Sequence, residues 1–250
     1  FKKYIKKRFP NFYEILFIFY NFILLRRKNN IKFDGLGLRT SISVPWDRIL
    51  KNKTSVGFIN AKKKLDTKIR SKEFILSIIE NYYSNSSLDD TFDHYEELNF
   101  RHYVIYYSSL LAFENTESKN AVECGSADGM GIYFCISNYI KDKKSKIYLY
   151  DSWETMRDKE LKSEKDLTRK GDYHYLDEKI IKNNLEEFSK FIIYNKGFIP
   201  ETFEKSKNPD NLSWLHIDLN SSMPTLESLK FFYPRLEENG IILLDDYGFD

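Results

Sequence analysis

From Asn120 onward the sequence alternates short apolar runs with stretches of helical pattern, and few folds accommodate that alternation. The runs are "AVEC" at 121–124, "KIYLYD" at 146–151, "FIIY" at 191–194, "LSWLHID" at 212–218 and "GIILLDD" at 240–246. A strand with one solvated face alternates apolar and polar residues. Near-continuous apolar runs belong to strands covered on both faces, as in parallel sheets. Between the runs, "IYFCISNYIKDKK", residues 176–189 and "TLESLKFFYPRL" read as helices. Strands alternating with helices predict βαβ units, hence an α/β fold with a parallel sheet and helices on both faces. Ligands of such sheets bind at the carboxyl ends of the strands, where the strand order reverses.

Upstream the pattern is mostly helical, with one helix expected over residues 99–112. The chain therefore divides into an N-terminal extension (1–45), a helical cap region (46–115) and the sheet domain (116–250). The extension is basic and aromatic. Its apolar centre, interrupted by Glu14 and Asn21, is shorter than the ~20 residues a spanning helix needs. Basic clusters at 2–8 and 26–28 suit peripheral contact of residues 1–28 with an anionic membrane surface. Packing on the domain or on a partner subunit, as in a homo-oligomer, fits the same stretch. The expected location is cytoplasmic, including the inner face of the membrane. Because the sequence opens on Phe1 and stops just after a strand, it is expected to be part of a longer polypeptide.

A formal net charge of +2 offers no electrostatic footprint for nucleic acid. Cys124 and Cys135 lie in apolar surroundings and read as reduced core residues.

The unusual polar residues fall at the strand ends. In "VECGSADGMG", Gly125, Gly129 and Gly131 permit a tight turn and close backbone approach, without the dinucleotide G-x-G-x-x-G spacing. Glu123 sits inside an apolar strand and needs a cation, either from a ligand or from a Lys or Arg elsewhere. Asp151 ends the second strand, where an acid can accept both hydroxyls of a ribose or cap a helix. Trp153 either covers an adenine ring or packs. Asp218 ends the fourth strand; Asp245 and Asp246 end the fifth, which reads as buried. Adjacent carboxylates repel, so three of them on neighbouring strand ends suggest a hard-oxygen site for Mg²⁺.

Together, "AVECGSADGMG", "YLYDSWETM", "YNKGFIPETF" and "LHIDLNSSMPTLESLKFFYPRLEENGIILLDDYG" resemble the macrocin O-methyltransferase family over residues 95–250. That resemblance implies a Rossmann-like class I methyltransferase fold using S-adenosylmethionine and Mg²⁺. It implies that Glu123, Gly125, Ser126, Gly129, Asp151, Ser152 and Trp153 line the cofactor, and that Asp218, Asp245 and Asp246 hold the metal. The acceptor would be a hydroxyl of a sugar, glycan or small secondary metabolite. Two further strands, absent from this sequence, would follow the fifth.

One motif departs from the family. Its fourth-strand pattern commonly places a second Asp two residues after the first, a candidate general base; here that position is Asn220. An amide cannot take a proton at neutral pH. His216, in phase with Asp218, and His102 are the candidate bases, with His174 also available. The departure motivates a competing reading, a non-catalytic scaffold or regulatory domain in a larger glycan-modifying protein. A nicotinamide-dependent oxidoreductase leaves the acid cluster unexplained.

Overall fold

The computed structural model describes residues 53–82, 92, 95–96, 98–139, 146–161 and 169–245. The N-terminal extension, Asp246 and Gly248 lie outside the described residues. The elements in chain order are α1 (Lys53–Arg70), α2 (Ser77–Tyr82), α3 (Asn99–Asn115), β1 (Ala121–Cys124), α4 (Met130–Tyr139) and β2 (Ile147–Asp151). They continue with α5 (Glu178–Asn184), β3 (Ile192–Lys196), β4 (Leu212–Ile217), α6 (Ser222–Phe232) and β5 (Leu236–Leu244).

The five strands form one parallel sheet in the order β3-β2-β1-β4-β5. Every residue of β1 and β4 is buried, as their apolar runs require. Alternation along those strands sends Ala121 and Trp214 to one face and Val122, Cys124, Leu215 and Ile217 to the other. The first face is covered by α1, α3, α4 and α5. The second is covered by α6 and by the turn-rich β3–β4 connection carrying Ile199 and Phe203. Cys124 and Cys135 are free and buried.

Local sequence explains the helices that frame the sheet. In α3 the buried residues His102, Ile105, Tyr106, Ser109, Ala112 and Phe113 recur at helical spacing and form one stripe. Asp177 caps α5 by accepting from the Lys179 N–H at 2.8 Å. Phe58, Leu65, Ile105 and Phe113 share one apolar cluster with Phe134, Ile147 and Trp214 beneath the sheet.

β5 differs from the central strands. Its residues are half-buried or exposed, because among the described strands it is an edge with β4 as its partner. Its pairing also slips: between the Leu212–Leu236 and Trp214–Ile241 pairs, β4 advances two residues while β5 advances five. Asn239, with φ +67°, lies in that excursion. No helix among the described residues is long and apolar enough to cross a membrane.

Candidate active site

The strand order reverses at β1, which has β2 on one side and β4 on the other. At the carboxyl ends of the strands lies an open cleft lined by Gly125, Asp151, Ser152, Glu160 and Asp218. Gly125 forms its base. The Gly125 N–H donates to the Tyr150 carbonyl at 2.8 Å, and the Asp218 N–H donates to the Cys124 carbonyl at 2.9 Å. Gly125 has φ +86°, and a Cβ there would lie 1.8 Å from the Asp218 carbonyl oxygen. Only glycine allows β1 and β4 to close this far along. Gly129 does different work: a Cβ at that position would press on Ile181 of α5 and on Leu185 just after it, so it serves packing and does not line the cleft.

Asp151 leaves β2 into the cleft with both carboxylate oxygens anchored. Oδ2 accepts from the Ala127 N–H at 2.8 Å and Oδ1 from the Trp153 N–H at 2.7 Å. Burial raises its pKa, and those two N–H groups oppose the rise. A carboxylate offers about four lone-pair sites, so even with a further bond from the Ser126 N–H the group can accept a ligand hydroxyl. Ser152 lines the cleft beside it. Trp153 does not. It is 2% exposed, donates its indole N–H to the Ala127 carbonyl at 2.9 Å, and packs towards Tyr194. Ser126 is likewise buried away from the cleft.

The far wall was not read from the sequence. Glu160, buried yet lining the cleft, is paired with Arg157, which also binds Glu201 at 2.9 Å and stacks its guanidinium over Phe198 at 3.4 Å. The Ser221 hydroxyl donates to the Glu160 carbonyl at 2.5 Å, tying this wall to the start of α6. Ile78 of α2 closes the opposite side. Nothing in the local pattern of 154–161 or 198–201 marks these residues; only the fold brings them together.

Asp218 and Asp245 meet at the ends of β4 and β5, but around a side chain of this protein. The guanidinium of Arg101, from α3, pairs with Asp218 Oδ2 and donates through Nε to Asp245 Oδ1 at 3.0 Å. Burial works against the charge on Arg101, and the two carboxylates more than restore it. Asn220, at φ +51°, lines the cleft and donates Nδ2–H to Asp218 Oδ1 at 3.2 Å. A magnesium site requires carboxylate oxygens turned on one ion. Here the donors of Arg101 and Asn220 already engage both oxygens of Asp218, and Arg101 engages Asp245. These two residues as placed do not fit Mg²⁺, and Asp246 lies outside the described residues. Among the described residues no group of three or more His, Cys, Asp or Glu could hold a metal.

Glu123 and His216 form the next layer below, directly opposite each other in the β1–β4 register. His216 Nδ1 and Glu123 Oε1 are 2.8 Å apart, and both side chains are almost fully buried. Burial would lower the pKa of His216, but the Glu123 bond and charge, aided by Asp245 and Asp218, raise it overall. The buried partner of Glu123 is thus His216, and neither residue lines the cleft. His102 is buried, stacked on Phe134 at 4.6 Å, and held well below its usual pKa by burial and by the charges of Arg101 and Lys62. Neither histidine is placed as a base for a ligand in the cleft. The in-phase spacing of His216 with Asp218 reflected a shared sheet face, and that face is covered by helices.

A family model described as a methyltransferase domain matches residues 122–247. Among solved structures, the O-methyltransferase NovP aligns at 19% identity over 59% of this chain and 64% of its own, with a TM-score of 0.49. The chain therefore spans less than two thirds of NovP. The calicheamicin methyltransferase CalS11 aligns at 11% identity over 78% of this chain and 79% of its own, with a TM-score of 0.46. No curated protein matches the sequence.

Proposed function

Because this chain belongs to the methyltransferase domain family, we propose that it transfers a methyl group from S-adenosylmethionine to a hydroxyl of a small polyhydroxylated acceptor. The acceptor class proposed is a sugar, free or within a glycan or secondary metabolite. The observation that carries the reading is Asp151: a carboxylate fixed by two backbone N–H groups at the end of β2, facing a cleft at the reversal of strand order.

S-adenosylmethionine, when bound, supplies an electrophilic methyl group. Asp151 would accept its ribose hydroxyls, and Gly125 and Ser152 would border it. The chain's own part is alignment and removal of one proton. Asp218, Asn220 and Glu160 line the remaining polar surface and offer acceptor and donor groups for orienting a hydroxylated ligand. A hydroxyl oxygen that gains a methyl becomes strongly acidic, so a weakly basic carboxylate such as Asp218, or water, suffices to take its proton. This arrangement does without the histidines and without a second aspartate at position 220.

The test is calorimetric titration of S-adenosylmethionine into the protein and into Asp151→Ala. Micromolar binding that weakens at least tenfold in a folded Asp151→Ala, about 1.4 kcal/mol, supports the reading. Absence of binding to folded wild-type protein would sink it and leave the scaffold reading in its place.

A further inference from the structure

Two carboxylates at adjacent strand ends must be neutralised by something, and this fold supplies the cation from its own sequence. Asp218 and Asp245 are 18% and 8% exposed, and Arg101 between them is 19% exposed. The backbone holds the geometry: the Asp245 N–H donates to the Ile217 carbonyl at 3.0 Å, extending the β4–β5 ladder one step past Leu244. The two acids therefore sit one residue past the strand ends, each held by a backbone bond to the neighbouring strand. Arg101 comes from the helix that packs along β4 and β5, so its reach is set by a buried stripe rather than by chance.

A guanidinium presents a rigid fork of donors that can serve two carboxylates at once, through different nitrogens. The observed pairing uses a terminal nitrogen for Asp218 and Nε for Asp245. A divalent ion at the same place would need those oxygens at ~2.0–2.6 Å and could not share them with N–H donors. The two cations are mutually exclusive. Asn220 biases the choice. Its amide donates to the other oxygen of Asp218, from a left-handed backbone position that asparagine adopts readily. A carboxylate at 220 would offer no donor and would add a third negative charge.

We propose that Arg101 is the resident counter-ion of the Asp218–Asp245 pair, filling with a tethered guanidinium the position a divalent cation would take, and that Asn220 locks the pair in that state. Arg101 is then a positioning residue: it fixes Asp218, which lines the cleft, and clamps α3 to the ends of β4 and β5. The site stays assembled in chelator, and its acids are not free to recruit metal.

The test is titration of Mn²⁺, in the absence of any methyl donor, into the full chain and its variants, followed by calorimetry and by the spin-resonance signal of free Mn²⁺. Wild type is expected to show no saturable binding below the millimolar range, and EDTA is expected to leave its melting temperature unchanged. Arg101→Met keeps the apolar stem and removes the charge. It should bind Mn²⁺ at least tenfold more tightly than wild type, and Asp218→Asn in that background should abolish the gain. Arg101→Lys, which keeps the cation, should bind as wild type does. If Arg101→Met does not fold, Asn220→Asp provides the same readout, with a gain of Mn²⁺ binding over wild type expected. Micromolar binding to wild type that Asp218→Asn removes would overturn the inference. So would the absence of any gain in folded Arg101→Met, or in Asn220→Asp where Arg101→Met does not fold. Because no methyl donor is present, these outcomes are independent of whether the chain binds S-adenosylmethionine.

Discussion

Asn184 holds together three segments that are distant in sequence, and its removal has a calculable cost. The residue ends α5 and is 1% exposed. Its Oδ1 accepts from the Ile75 N–H at 2.9 Å; its Nδ2 donates to the Ile75 carbonyl at 2.9 Å and to the Asp128 carbonyl at 2.8 Å. One side chain thus ties α5, the β1–α4 turn and the segment leading into α2, whose Ile78 lines the cleft. Asn184→Ala deletes all three bonds. At about 1 kcal/mol net for each, the loss is about 3 kcal/mol, and burial of the orphaned Asp128 carbonyl adds ~1 kcal/mol or more. Ile75 is only half-buried, so water can serve part of its backbone and keeps the total near 3–4 kcal/mol.

Urea unfolding followed by far-ultraviolet circular dichroism measures the loss directly, provided the slope against urea is unchanged. Asn184→Asp is the informative companion. It keeps an acceptor for the Ile75 N–H but faces two carbonyls with no donor, so it should cost at least as much as alanine at neutral pH. A loss under about 1 kcal/mol for Asn184→Ala would refute the clamp, because it would mean that solvent replaces all three bonds.

Two further perturbations test the turn between β1 and α4. Gly125→Ala should cost at least ~4 kcal/mol by urea unfolding, since both φ +86° and the Asp218 carbonyl at 1.8 Å oppose it. Gly171→Ala shares the positive φ but meets nothing within 4 Å, and should cost only ~1–2 kcal/mol; equal losses would discredit the close-approach argument. Burial pushes the Asp128 carboxyl from 3.8 up to about 6, against hydrogen bonds from Met130, Ile78 and Ser77. The folded state then keeps a proton that the unfolded chain has released. This stabilisation is complete below pH 3.8 and lost as pH rises through about 6, up to about 3 kcal/mol at 1.36 kcal/mol per tenfold change. Stability measured at intervals from about pH 4 to about pH 7 should fall less steeply in Asp128→Asn than in wild type; parallel profiles would contradict it.

What the sequence made legible follows from which interactions are local. The five strands were readable because a strand covered on both faces is a near-continuous apolar run, as β1 and β4 are apart from Glu123, Ser213 and His216, and both are buried at every position. Gly125 and Asp151 were legible as glycine and acid at strand ends. The Arg157–Glu160–Glu201 wall was not, since its members come from separate loops with unremarkable charge.

The acids show the limit most clearly. A carboxylate at a buried strand end states that a positive group must be near, and the sequence offered Glu123, Asp218, Asp245 and Asp246 as such statements. It did not say which cation answers. Glu123 is answered by His216, which had itself been counted as a base. Asp218 is answered by Arg101, 117 residues earlier on a helix whose pattern advertises only its apolar stripe. A metal and an arginine satisfy the same electrostatic demand, and side-chain pattern along one strand cannot separate them. What separates them is the geometry of the donors: Arg101 spans two strand ends, and Asn220 contributes an N–H where an acid would contribute only charge. The asparagine that looked like a missing base from the sequence is, in the fold, a donor to the carboxylate beside it.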